Sequence, residues 1–427
     1  KTIANDPTGI ELVAQDKQAI YLDFFSDLRQ PHWAIVAKQR TGKSNFSNKV
    51  CDHAIARGQP VTFIDMPPDG DGASSLEDRC GFEDGSHVDC RKQSINLLGI
   101  TSSLLLENSG LTAKQREDRF KSIQGGWIEY LMILGGPTED QAQLIQVTKD
   151  LLKLAIDLYL ADNQIQTRYY EAALGGFGSE AWWKTPTLAD FQKFTKRYVL
   201  QNHLQNISGP VDEALNYLDL RLSRKCDPNT SVGQAIARPS TVNPEKTLLT
   251  VFSLRGLEPG SEEALAYCAG AYSIAIQKSL SYPISHVIVE EAQKAAQEPG
   301  VVRMMSDLIT RYGKDGVRLG LVTNSFDKVA KSQAGRDLLD NITTKILGPI
   351  TEASVGSLSE TLNIPLDLVE QCASSAFYND RKEGRMNVLL CDNGRHTFAS
   401  FYPGWLSVAL SASNRGEGES KKRFLQV

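Results

Sequence analysis

Two short segments carry residue types that could do chemistry. Arg40-Thr41-Gly42-Lys43-Ser44 follows the apolar run Trp33-Ala34-Ile35-Val36. It precedes residues 43–57, where Phe46, Val50, Ala54 and Ile55 recur at helical spacing and Gly58 supplies a stop. At such a strand-to-helix turn the first backbone N–H groups of the helix lack intrahelical partners and suit an anion. A lysine there adds positive charge for the β- and γ-phosphates of a nucleotide, and a serine hydroxyl there ligates Mg²⁺. Gly42 lets the backbone approach the ligand. Arg40, Thr41, Gly42, Lys43, Ser44 and Asn45 are the expected nucleotide contacts. The full phosphate-loop pattern begins with glycine, and here Ala37 stands in that place. If the loop needs a left-handed backbone there, alanine costs about 1 kcal/mol or more. The competing reading is an ordinary turn with a solvated lysine.

The second segment is His286-Val287-Ile288-Val289 followed by Glu290-Glu291. An apolar strand ending in carboxylates puts them on the ligand-binding edge of a parallel sheet. One acid of such a pair supports a metal ion, here Glu290 together with Ser44. The other, Glu291, polarises the water that attacks a phosphoryl group. An acidic pair opening a helix is the plainer alternative. Asp65 ends the run Val61-Thr62-Phe63-Ile64, and Thr323-Asn324-Ser325 ends another apolar run. Asn324 at such a place would sense the γ-phosphate or hold the water. Arg303, Arg311 and Arg318 bracket this region, and Arg311 is the candidate for a finger reaching a neighbouring subunit's nucleotide.

The elements that must position these residues read as an interrupted α/β pattern. Strand-like runs precede the phosphate segment and resume at 247–252, 286–289, 318–323, 345–347 and 387–390, with helical stretches between them. The intervening region is helical. Thr138-Glu139-Asp140-Gln141 has the form of a capping box, and Leu144, Val147, Leu151, Leu154 and Leu158 share a helical face. The expected organisation is a nucleotide-binding domain in two parts, 1–104 and 236–412, an all-helical insertion at 105–235, and a mobile tail at 413–427.

The 427 residues suit two or three domains. A hydrophobic share of 41% and a charged share of 23% exclude collagen-like and disordered chains. Lys and Arg number 46 against 51 Asp and Glu, a net charge of −5. That argues against a surface that grips nucleic acid everywhere, though a local basic channel stays open. Seven scattered cysteines without a CxxC motif fit a reducing compartment rather than a disulfide framework. Cys80, His87 and Cys90 lie close in sequence but lack a fourth zinc ligand. No apolar run reaches the length of a membrane span. The first residue, Lys1, is not methionine, which suggests a piece of a longer chain.

The order of the segments resembles the C-terminal motor domain of the TraC/CagE/DotO-type ATPases of type IV secretion and conjugation, within the FtsK/HerA superfamily of RecA-like ring ATPases. The matching residues are Ala34–Ser44, Val61–Asp65, Ser94–Gly99, Thr250–Leu257, Val287–Ala292, Lys314–Ser325 and Asn341–Gly348. Ala37, Glu290, Asn324 and Gly313 depart from the family's usual residues, and the departures bear on the hydrolysis rate. The resemblance implies a RecA-like P-loop fold with an inserted helical subdomain, ATP and Mg²⁺, and a homo-oligomeric ring, expected to be a hexamer. It also implies partners among the inner-membrane secretion subunits and the coupling protein, and a location on the inner face of the bacterial inner membrane. The expected function is ATP hydrolysis that energises apparatus assembly or substrate transfer. Two alternatives stay open: a DNA-translocating ATPase like a coupling protein, and a nucleotide-binding scaffold with little turnover.

Overall fold

The computed structural model describes residues 9–26, 31–67, 75–107, 111–137, 141–243, 245–378 and 384–410. The chain divides into two compact units. One comprises Lys1–Val88, Thr247–Pro259 and Tyr282–Val427, and the other Asp89–Lys246 and Gly260–Ser281.

The first unit is built on one sheet. Its strands are β1 (Ile10–Ala14), β2 (Ala19–Leu22), β3 (Trp33–Val36), β4 (Val61–Asp65), β5 (Ser86–Asp89), β6 (Leu249–Ser253), β7 (Ser285–Val289), β8 (Val317–Thr323), β9 (Thr344–Leu347), β10 (Met386–Asp392) and β11 (Arg395–Phe401). They lie in the order β2-β1-β11-β10-β9-β3-β8-β7-β4-β6-β5. The run from β9 to β6 is parallel throughout. From β9 outward through β10, β11, β1 and β2 every pairing is antiparallel. The composition of the strands follows this division. Every residue of β3, β4, β6, β7 and β8 is buried, as expected where helices cover both faces. In β2 and β11 buried positions mix with exposed and half-buried ones.

The strand that follows the phosphate segment is not its neighbour. Between β3 and β4 lie β8 and β7, the two strands that end in Asn324 and in Glu290-Glu291. Register brings their ends together. Val36 is level with Thr323, Val289 with Leu321, and Ile64 with Val289. All the polar strand ends singled out above therefore leave one edge of the sheet.

Helix α1 (Lys43–Ile55) is held on this sheet by its apolar face. Phe46 meets Trp33 at 5.5 Å and Phe401 at 5.3 Å between ring centroids, both edge-on. Gly58 ends the helical segment with φ 69° and its N–H on Ile55 O at 2.8 Å. At its far end Asp52 pairs with the fully buried Arg79 and accepts a bond from the Ser407 hydroxyl at 3.3 Å.

The second unit is helical. Its long helices are Ala113–Gly135, Ala142–Ala161, Asn163–Gly175, Gly209–Cys226 and Glu262–Ser279. It begins earlier than the expected insertion and takes in Glu262–Ser279, which the sequence pattern assigns to the α/β part. That helix is buried almost all round, as an interior helix should be. The box expected at residues 138–141 falls mostly outside the described residues. A capping box joins Thr187 and Asp190 at the start of the short helix Leu188–Phe191. The buried face of Ala142–Ala161 is Leu144, Thr148, Leu151, Leu152, Ala155, Ile156 and Tyr159, rotated from the leucine stripe. Tyr159 turns inward because its hydroxyl meets that of Tyr169 at 2.9 Å. The tail beyond Leu410 lies outside the described residues.

Gly320 of β8 lies under the Trp33 ring, and a Cβ there would fall 2.2 Å from Cζ2. Gly320→Ala should destabilise the protein by about 1–3 kcal/mol through overpacking. Gly356→Ala, with nothing within 4 Å of the added carbon, should leave stability unchanged or slightly raised. Denaturant midpoints of the two variants check the contrast.

Candidate functional site

The phosphate segment forms a loop at the end of β3. Ala37 N–H donates to Thr323 O at 3.3 Å and Lys38 N–H to Pro349 O at 2.8 Å. The Thr41 hydroxyl donates to Lys38 O at 2.7 Å. Gly42 caps α1 with φ 104° and ψ 9°, the left-handed conformation that glycine adopts without steric cost. Arg40 is also left-handed, with φ 61°, whereas Ala37 is not among the residues of positive φ. The strain expected at Ala37 is therefore absent. Its methyl is instead accommodated by Gly348, where an added Cβ would lie 2.8 Å from it. Arg40 is exposed, and Thr41, Ser44 and Asn45 are half-buried at the start of α1.

Lys43 is 8% exposed. Its ammonium donates to Ala37 O at 2.8 Å, to Lys38 O at 2.9 Å and to Asn324 Oδ1 at 2.5 Å. Those three acceptors match the three donors of a lysine. Burial lowers its pKa, opposed by the negative charge of Glu291 and Glu290.

Asn324 uses both ends of its amide. While Oδ1 faces Lys43, Nδ2 donates to Glu291 Oε2 at 3.5 Å. The expected nucleotide lysine and the expected water-activating acid are thus bridged by the expected γ-phosphate sensor. Glu291 caps a short helix, Ala292–Ala295, with a left-handed backbone of φ 52° and ψ 42°. Gln293, which motif reading passes over, also donates to Glu291 Oε2. No signal beyond its distance of two residues from Glu291 marks it in the sequence.

Glu290 goes a different way. Its Oε1 accepts from the buried Ser47 hydroxyl at 2.5 Å. Ser47 lies one turn beyond Ser44 on α1 and was not among the expected site residues. Glu290 itself is 7% exposed. Burial raises its pKa to about 8, despite the Ser47 hydrogen bond, with Asp65 and Glu291 adding repulsion. Asp65 is 6% exposed at the end of β4, where its carbonyl accepts from Leu254 N at 2.8 Å.

Ser44, Glu290 and Asp65 offer hard oxygen atoms, the ligand type that Mg²⁺ takes. Among the described residues no three His, Cys, Asp or Glu side chains gather to hold a metal alone, the Cys80, His87 and Cys90 run included. Sites of one or two carboxylates completed by substrate phosphates are usual for Mg²⁺.

The arginines are elsewhere. Arg311 caps the C-terminus of the helix Pro299–Thr310, where its Nε lies 3.8 Å from Asp307 Oδ1. The chain re-enters the sheet at Val317, the opposite end of β8 from Thr323. Arg311 is thus not brought to Lys43 within this chain. Arg303 is exposed on the same helix. Arg318 is 1% exposed at the start of β8, where its charge and burial hold His32 down to about 4 and His286 to about 3, burial being the larger cause in both.

No protein-family model matches the sequence, and no curated protein matches it. Solved structures do share its fold. VirB4 of Thermoanaerobacter pseudethanolicus superimposes with a TM-score of 0.62 at 15% identity, over 96% of this chain and 100% of that one. The plasmid coupling protein TrwB in complex with ADP and Mg²⁺ gives 0.54 at 13% identity, over 88% and 86%. TrwB with the ATP analogue ADPNP gives 0.56 at 12%, over 94% and 90%. The fold is that of a RecA-like P-loop ATPase, a mostly parallel sheet with many helices.

The protonated state of Glu290 has a consequence for stability. With a folded pKa raised to about 8 from 4.5, the folded chain holds a proton that the unfolded chain releases between those values. This contribution is fully present below about pH 4.5 and is lost as pH rises through about 8. In Glu290→Gln that part of the pH dependence should vanish. Unfolding midpoints between pH 5 and 8.5 for both proteins measure it.

Proposed function

We propose that this chain is an ATP-hydrolysing motor domain of a type IV secretion or conjugation system. The observation that carries the reading is the link from Lys43 through Asn324 to Glu291 at one sheet edge. Its likeness to VirB4 and TrwB supports the same reading at the level of fold. The α1 N-terminus, with Arg40, Thr41, Gly42, Lys43, Ser44 and Asn45, receives the phosphates. Ser44 and Glu290 would hold Mg²⁺, with Asp65 nearby. The ion, when bound, neutralises charge on the β- and γ-phosphates.

The residues then divide the work. A γ-phosphate competes for the Lys43 ammonium and takes the place of an acceptor that Asn324 now fills. Glu291 accepts a proton from the attacking water as its oxygen bonds to the γ-phosphorus, and the bond to the β,γ-bridging oxygen breaks. ADP leaves with that electron pair. Asn324 senses the γ-phosphate and orients the water. Arg311, remote from its own site, is assigned to a neighbouring protomer's nucleotide in a ring, taken as a hexamer. The proposed partners are inner-membrane secretion subunits and a coupling protein, at the inner face of the bacterial inner membrane. Among the described residues no helix is long and apolar enough to cross a membrane.

A second reading, a DNA-translocating ATPase like a coupling protein, is favoured by the likeness to TrwB and opposed by the net charge of −5. Salt-sensitive DNA binding separates it from the first. A scaffold with little turnover is the third. It rests on Ala37 and Glu290, and the unstrained backbone at Ala37 weakens it.

Lys43→Ala should lose nucleotide binding by at least about tenfold, measured by titration with a fluorescent ATP analogue. Glu291→Gln should retain binding and lower phosphate release by about 10²–10⁴-fold. Wild-type protein that binds ATP tightly but releases no phosphate would favour the scaffold.

A further inference from the structure

Gln293 ties the proposed water-activating acid to the strand that touches Lys43. Its Nε2 donates to Glu291 Oε2. Its Oε1 accepts from the Thr323 hydroxyl at 2.7 Å and from Asn324 N–H at 3.3 Å. The Thr323 oxygen is itself fixed: it accepts from Ser325 N–H at 3.1 Å, and its single proton is shared between Gln293 Oε1 and Ser325 O, each at 2.7 Å. The amide has only one workable orientation. Turned over, its oxygen would face a carboxylate and its NH₂ would face an N–H donor.

Without this amide, the Glu291 carboxylate would keep only the Asn324 Nδ2 hydrogen bond among the described residues, at 3.5 Å. That distance is at the outer limit of a hydrogen bond. Both donors meet Oε2, so Oε1 is the oxygen left to a water. The left-handed backbone of Glu291, φ 52°, is a conformation that non-glycine residues keep only where their surroundings impose it. A side chain departing from such a backbone has few ways to be aimed, and Gln293 supplies one.

We propose that Gln293 is a positioning residue for ATP hydrolysis: it holds the Glu291 carboxylate by one oxygen and registers it against the end of β8, where Asn324 meets Lys43. This rests on the ATPase reading above. Gln293 acts through Glu291, so its loss affects turnover and spares nucleotide affinity.

The test uses the full chain with Gln293→Ala and Gln293→Glu. In the alanine variant kcat should fall about 10–100-fold, the scale set by a misplaced reacting group. KM and the affinity for a fluorescent ATP analogue should stay within about twofold, since the phosphate contacts remain. In a Glu291→Gln background the same alanine change should have no further effect on kcat, because the two residues act as one unit. Gln293→Glu is nearly isosteric and sets a carboxylate against Glu291. The acidic limb of its kcat–pH profile should move upward by about one pH unit or more, since a like charge raises a carboxyl pKa. A merely structural Gln293 would lower the unfolding midpoint without moving that limb. Wild-type kcat and an unmoved limb in both variants would overturn the proposal while leaving the ATPase intact. A wild-type protein that binds ATP but never turns it over would overturn the ATPase reading and this role together.

Discussion

A lysine ammonium cannot sit at 8% exposure unless its donors are met, and this requirement organises the site. Two of the three acceptors for Lys43 are carbonyls of the loop that precedes it, so the loop wraps its own charge. The third comes from β8, which must therefore lie beside β3. Asn324 passes the constraint on, because the same amide reaches Glu291 beyond β7. Three strands, one helix start and two opposite charges are thus locked by a single neutral side chain.

The two adjacent glutamates are differentiated by their surroundings. Glu290 is buried with a serine hydroxyl as its partner and with Asp65 beside it, so its proton is retained near neutrality. Glu291 is half-buried on a left-handed turn and is held by two amides on one oxygen. The change of backbone handedness between two consecutive residues lets them face different tasks. One looks into α1 and the other toward the end of β8.

Much of this was legible in the chain because the signals are local. The buried strands are continuous apolar runs, and the lysine turn and the Glu-Glu pair sit at their ends. The strand order was not legible, since nothing in residues 33–65 reveals that β8 and β7 will come between β3 and β4. Ser47 and Gln293 escaped for a related reason. Each is an ordinary polar residue whose role arises only when a distant strand arrives, Glu290 for one and Thr323 for the other. Ala37 was misjudged because the turn places its positive φ values at Arg40 and Gly42 instead. Ser86–Asp89 is too short and too polar to read as a strand, and the leucine stripe near 150 hid the inward turn of Tyr159.

The interleaving of β8 and β7 between β3 and β4 also bears on synthesis. A chain emerging from the ribosome has made both outer strands by residue 65, yet the pair that must separate them is not complete until residue 323. Over that interval the edges of β3 and β4 facing the gap have no native partner. Unpaired apolar edges of this kind are sticky. The helical unit occupies most of the delay, and it can pack from contacts within its own span while the gap stays open. The sheet centre, and the edge that carries Lys43, Asn324 and Glu291 with it, is therefore among the last features to assemble, and sequence separation of this size makes that closure slow.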